Sequence, residues 1–149
     1  MLSNELEQEV EAALRALRHD GVVAYPTDTL YGLGANAFSL RAVRRVYEIK
    51  GRRSDMALPL LLAEASDIEQ VAVDIPPLAR ALAERFWPGP LTLVLKRCPA
   101  VPDLVTGGGD TVAVRVPDHP VPRALMRRLG APITGTSANP SGGADPGAH

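Results

Sequence analysis

Short β-branched apolar runs and amphipathic stretches of helical period follow one another along this chain, and that mixture constrains its fold more than any other feature. Between Glu5 and Arg18 the apolar positions Leu6, Val10, Ala13, Leu14 and Leu17 recur at three- and four-residue steps, which predicts a helix. Acidic residues open that segment and Arg15 and Arg18 close it, as a helix dipole favours, and Gly21 supplies a stop. Val22 to Tyr25 then reads as a buried strand ended by Pro26, with a Gly- and hydroxyl-rich loop over 27–36. Ser39 is a candidate N-cap for a helix through Lys50, and 51–55 reads as a loop. A strand is expected over 58–62, and Ser66 with Glu69 suggests a capping box for a short helix. A further helix is expected from Pro76 and Pro77 to Phe86, broken by Trp87-Pro88-Gly89-Pro90. Strands over 91–95, 111–116 and 133–136, and a helix over 121–129, complete the series. Because strands and helices do not alternate strictly, the expectation is an α/β domain with a twisted mixed sheet flanked by helices, not a regular doubly wound one.

A chain of 149 residues fits one domain, and roughly two thirds of its unfolded surface can be buried. Aromatic residues are only 4% of the chain, so its core must be built from Val, Leu, Ile and Ala. Sixteen basic and seventeen acidic side chains leave a net charge of −1, which argues against a protein dominated by attraction to a phosphate backbone. Cys98 is the single cysteine, so no internal disulfide forms, and beside Pro99 it reads as an ordinary small residue. The N-terminus has neither a basic n-region nor an apolar h-region, and no apolar run approaches bilayer length. A cytoplasmic protein with no membrane role is expected, with residues 1–20 as an N-terminal helix and 140–149, rich in Gly, Ala and Pro, as a flexible tail.

Several familiar devices are missing. There is no GxxxxGK[ST] cradle, no GxGxxG after a strand, no Gly-x-Ser-x-Gly elbow, and His19, His119 and His149 lack metal-ligand spacing. Four segments remain that could carry chemistry. Tyr25-Pro26-Thr27-Asp28-Thr29-Leu30-Tyr31-Gly32 places hydroxyls, a carboxylate and a phenol after a buried strand, where α/β proteins bind ligands, although Thr27 and Asp28 equally suit a turn that satisfies its own backbone. Lys50-Gly51-Arg52-Arg53 closes a basic stretch that also holds Arg41, Arg44 and Arg45. Lys50 and Arg52 would point to the same side of an extended loop and suit a polyphosphate, or they are a solvated helix end. In Thr111-Val112-Ala113-Val114-Arg115-Val116, Thr111, Ala113 and Arg115 share a strand face; Arg115 then needs an anion partner or a solvent-facing edge. Thr134-Gly135-Thr136-Ser137-Ala138-Asn139-Pro140-Ser141-Gly142 sets small hydroxyls and an amide directly after a strand, as an ordinary turn also would.

Taken in order, PTDTLYG, KGR, TVAVRVPDHP and TSANPSG, with WPGPLTLVL among them, resemble the YrdC family of threonylcarbamoyl-AMP synthases over about Gly21 to Gly142. The family's KxR and SxN signatures correspond to Lys50 with Arg52 and Ser137 with Asn139. The resemblance implies one YrdC-like domain with a concave surface that binds ATP and L-threonine side by side. Threonine's amine takes up CO2 or bicarbonate, and the carbamate attacks the α-phosphate of ATP with loss of pyrophosphate. It implies threonine contacts from Thr29, Arg115 and Ser137, a pocket shaped by Tyr31, and ATP contacts from Lys50, Arg52, Thr111 and Asn139, with Lys50 and Arg52 as the catalytic cations. Both cations are expected to stand exposed in the ligand-free pocket. Mg2+ would accompany ATP without a protein metal cage. A threonylcarbamoyl transferase and tRNA would follow downstream.

Arg53 stands where many relatives carry proline, and family domains continue past the SAN motif, so a truncated domain is expected. Two other readings compete. One is a non-catalytic module for structured RNA or tRNA that uses the basic stretch from Arg41 to Arg53, with weak binding. The other is a carbamoyl-transfer domain of the hydrogenase-maturation kind.

Overall fold

A computed structural model describes residues 3–28, 31–51 and 57–137. The N-terminal helix α1 (Asn4–Arg18) is capped by Ser3, whose side chain accepts from the Leu6 N–H, and the Gly21 N–H closes its far end onto the Ala16 carbonyl. Strand β1 (Val23–Pro26) follows as expected. The connection after it departs from expectation, because Tyr31–Gly34 forms a second strand, β2, paired antiparallel with β1. The glycines that suggest a loop are there for packing. A Cβ on Gly32 would fall 2.8 Å from the Tyr25 ring, and one on Gly34 would fall 2.6 Å from it. The ring of Tyr25 therefore lies flat across two side-chain-free positions of its neighbour.

Helix α2 (Leu40–Lys50) begins at Ser39, as expected, and ends at Gly51 in the left-handed conformation (φ 65°) that glycine adopts without strain. Strand β3 is shorter than expected, Leu60–Leu61. The capping box does not form at Ser66 and Glu69. Its place is taken two residues earlier by Asp67, which accepts from the Glu64 N–H, and Ala65–Gln70 winds as a 3-10 turn. A short strand that the sequence did not suggest, β4 (Ala72–Val73), precedes helix α3 (Pro77–Phe86) and strands β5 (Leu93–Arg97) and β6 (Thr111–Arg115). Helix α4 (Pro120–Leu129) starts on His119, whose imidazole accepts from the Val121 N–H. The expected final strand is divided at Gly135 into β7 (Ile133–Thr134) and β8 (Thr136–Ser137).

These strands make two sheets, not one. β1-β2-β8 is antiparallel throughout, and β4-β5-β6-β3-β7 is mixed, with β3 and β6 parallel. The short segment 133–137 belongs to both, since β7 pairs with β3 and β8 pairs with β2. Thr134 fastens the junction: its hydroxyl donates to the Leu33 carbonyl, and its own carbonyl accepts from the Tyr25 hydroxyl at 2.6 Å. Burial pushes the Tyr25 phenol up, keeping it a proton donor.

Neighbouring residues of β3 face opposite ways, and each face has its own core. Leu60 joins Val112, Val114, Leu93 and Leu95 beneath Val43, Val46 and Tyr47 of α2, with Trp87 at the edge. Leu61 and Ile133 pack with Tyr25 against Val10, Leu14 and Leu17 of α1 and Leu125 and Met126 of α4. Arg128 ties these two helices together, with its guanidinium 2.8 Å from Glu7 and 2.9 Å from Glu11. The aliphatic cores match the low aromatic content. Among the described residues no helix is long and apolar enough to cross a membrane.

Candidate functional site

Two long-range cation contacts stand out among the described residues, one on β8 and one on the residue that follows β1 by two positions. Lys50 is the last residue of α2, where Gly51 ends the helix and turns the chain. Its ammonium reaches across to β8, donating to the Ser137 carbonyl at 2.9 Å and lying 3.3 Å from the Ser137 hydroxyl. The expectation of an exposed Lys50 is wrong: the residue is 3% accessible. A buried ammonium is tolerated only with oxygen partners, and β8 provides them. Ser137 in turn is held by register, opposite Gly32 on β2.

Arg115 closes β6 and finds the anion partner that a half-buried arginine in an apolar strand requires. Its Nη1 lies 3.0 Å from Asp28 Oδ1, 3.3 Å from Oδ2 and 3.0 Å from the Gly89 carbonyl. The side chains of Arg115 and Asp28 are 14% and 18% accessible, although the Asp28 backbone lies open. Burial pushes the Asp28 carboxyl up, but hydrogen bonds from Arg115 and from the Asp118 backbone, together with the Arg115 charge, outweigh it and hold the group below the usual carboxylate range. Asp28 is thus a fixed anion at neutral pH. Gly89 is itself pinned, its N–H donating to the Val116 carbonyl at 2.8 Å. The Trp87-Pro88-Gly89-Pro90 turn is therefore a bracket against the end of β6.

Of the residues named from the sequence, the structure joins Lys50 to Ser137 on β8 and holds Arg115 separately on Asp28 and the Gly89 carbonyl. Tyr31 opens β2 opposite Pro26 and is 64% accessible, free to border a ligand. Thr111 shares the face of β6 with Arg115 but stands four residues away, about 13 Å at the usual strand rise, exposed opposite Lys96. Thr29, Arg52 and Asn139 lie outside the described residues, as does the tail 140–149. What sequence reasoning missed is the Gly89 carbonyl, since a backbone oxygen leaves no side-chain signature. Asp28 was visible as a carboxylate in its motif, though not as the partner of Arg115.

The arrangement holds two cations on oxygen supports, Arg115 partly open and Lys50 buried, and cations so held suit anionic groups such as phosphates and a carboxylate. Among the described residues no group of three or more His, Cys, Asp or Glu could hold a metal ion. The basic stretch of α2 lies elsewhere: Arg41, Arg44 and Arg45 line a cleft with His19, Asp20 and Glu48, and Arg45 is bonded to Glu48 at 3.1 Å. Carboxylates thus interrupt that cleft, which is not a continuous basic track.

Comparison with known proteins adds an independent line. The Sua5_yciO_yrdC family model, described as Telomere recombination, matches residues 15–148. Threonylcarbamoyl-AMP synthases of Pyrococcus abyssi and Bacillus subtilis are 46% and 47% identical to the chain over 94% of its length. The chain spans 41% of the length of each of these two relatives. The solved structure of P. abyssi Sua5 complexed with L-threonine superposes with a TM-score of 0.90 at 46% identity, covering 94% of this chain and 41% of that one.

Proposed function

This chain belongs to the Sua5/YciO/YrdC family, and from that premise we propose that it condenses L-threonine, bicarbonate or CO2, and ATP into threonylcarbamoyl-AMP and pyrophosphate. The observation that carries this reading is the presence of two separately supported cations from the matched motifs, Lys50 on Ser137 of β8, a strand paired with β2, and Arg115 on Asp28, just after β1. An amino-acid carboxylate and a triphosphate need such a pair. In this reading Arg115, Ser137 and Thr29 contact threonine and Tyr31 borders it, while Lys50, Arg52, Thr111 and Asn139 contact ATP.

Attack of the carbamate on the α-phosphate raises negative charge on oxygens that must be stabilised where they stand. Lys50, already fixed at 3% accessibility, supplies a positive charge that need not reorganise. A Mg2+ ion would accompany ATP. With Asp28 engaged by Arg115, the donor set fits an ion held mainly by phosphate oxygens and water. The threonine carboxylate falls to Arg115, and the substrate hydroxyl to a site lined by Ser137 and its neighbours. Such a site discriminates against valine, which leaves the partner group unpaired. The product would pass to a threonylcarbamoyl transferase acting on tRNA in the cytoplasm, and the chain would work as a single YrdC-like domain.

The test is pyrophosphate release from ATP, Mg2+ and bicarbonate, with and without L-threonine. Release that requires threonine and is not supported by valine is expected. Release that depends on carbamoyl phosphate instead, or none from folded protein that binds both substrates, overturns the reading.

A further inference from the structure

Arg115 is held more tightly than a binding arginine needs to be for its own stability. Both hydrogens of Nη1 are committed, one shared by the two Asp28 oxygens and the other given to the Gly89 carbonyl. The two supports come from different segments, the β1–β2 connection and the bracket after α3. The bracket is fixed in turn by the Gly89 N–H on Val116 and the Trp87 indole on the Leu91 carbonyl. A long side chain with four rotatable bonds is thereby reduced to one orientation. That leaves the Nε–Nη2 edge of the guanidinium, the edge that grips a carboxylate with two parallel hydrogen bonds, as the side offered to a ligand.

We propose that Asp28 is a positioning residue: with the Gly89 carbonyl it aims Arg115 at the carboxylate of the α-amino-acid substrate. The inference rests on the reading of Arg115 as a threonine contact given above. Asp28 touches Arg115, and the same contact that holds its carboxyl ionised makes it a weak base, suited to orienting the guanidinium and not to taking up a proton. Its charge balances the guanidinium while the site is empty, so the arginine can stay half-buried and ready. The binding energy of the substrate is then not spent on ordering the side chain.

The experiment measures pyrophosphate release, for KM and kcat, together with calorimetric titration of L-threonine in the presence of a non-hydrolysable ATP analogue. The proteins are the wild type, Asp28→Ala, Asp28→Asn, Arg115→Met and the double variant Asp28→Ala/Arg115→Met, each checked for folding by circular dichroism. Asp28→Ala is expected to raise the threonine KM and dissociation constant by about tenfold to a hundredfold, with ATP affinity within about twofold of wild type. Asp28→Asn, which keeps an acceptor for Nη1, should fall between. The double variant should bind threonine no more weakly than Arg115→Met alone, because Asp28 acts only through Arg115. Losses that multiply in the double variant overturn the proposal, as do equal losses of ATP and threonine affinity in Asp28→Ala. If Arg115→Met leaves threonine binding unchanged, the underlying assignment of Arg115 fails, and the two failures are told apart by that single variant.

Discussion

Replacing Gly34 by alanine tests why β2 is a strand at all. The added Cβ would lie 2.6 Å from Cε1 and 3.1 Å from Cδ1 of Tyr25, and 3.3 Å from Ile133 Cδ1. Relaxed carbon contacts are about 3.5–4.0 Å, so the ring must move by about 1 Å. It has little room to do so, because Tyr25 is 1% accessible and its hydroxyl is tethered to the Thr134 carbonyl at 2.6 Å. Overpacking costs about 1–3 kcal/mol. Losing the tether adds about 1 kcal/mol, and the reduced freedom of the unfolded chain returns about 0.5 kcal/mol. A net loss of about 1.5–3.5 kcal/mol corresponds to a drop in melting temperature of about 3–14 °C for a domain of this size. Tyr25→Leu destabilises by its own cavity, but in the double variant the alanine methyl occupies space that the ring has vacated. The double variant should therefore be about 2 kcal/mol or more better than the sum of the single ones. Urea unfolding of the four proteins measures this coupling directly. Additive losses would refute the argument that Gly34 exists to accommodate Tyr25.

Two further outcomes are expected. Lys50→Met should lower pyrophosphate release by about 10²–10³-fold, in line with the loss of one preorganised charge-stabilising donor. The same change should move the melting temperature by less than about 5 °C, because the lost bond to Ser137 is offset by no longer burying an ammonium. Undiminished release would remove Lys50 from the chemistry. The second outcome concerns pH. The folded-state pKa of Asp28 lies below its unfolded value, so the stability this adds is fully present above the unfolded pKa, about 3.9, and is lost as pH falls through the lower folded one. The melting-temperature gap between wild type and Asp28→Asn should be flat from about pH 5 to 7 and close below about pH 4. A gap that persists unchanged into acid would show that charge is not what Asp28 contributes.

How far the fold could be read from the sequence depended on whether the cause of each feature was local. Helix α2 was legible at both ends because its signals, Ser39 and Gly51, act within a turn of themselves. The first helix and its stop were legible for the same reason. Strand β2 was not, because its glycines answer to Tyr25 on the neighbouring strand, and along the chain they only look like flexibility. The capping pair was placed two residues late for a related reason. Ser66 and Glu69 satisfy the pattern, while the backbone that needed an acceptor was that of Glu64. One sheet was expected where there are two because the crossing at Gly135 depends on pairing with both β2 and β3 at once.

The site was legible as a set of residue types and illegible as a set of contacts. Sequence reasoning could say that Arg115 in an apolar strand needs an anion or an edge, yet Asp28 is 87 residues away. Lys50 was expected in solvent and is instead buried on Ser137, also 87 residues away. In both cases a cation from one motif is held by oxygens from another: KGR by TSANPSG, and TVAVRVPDHP by PTDTLYG with a carbonyl from WPGP. No single motif carried weight in isolation because none of them is a complete structural unit. Removing the partner motif would leave a buried charge uncompensated, which is costly enough to move the side chain or the segment that bears it. The four segments therefore specify one another, and their order along the chain was informative because only their joint presence satisfies each member.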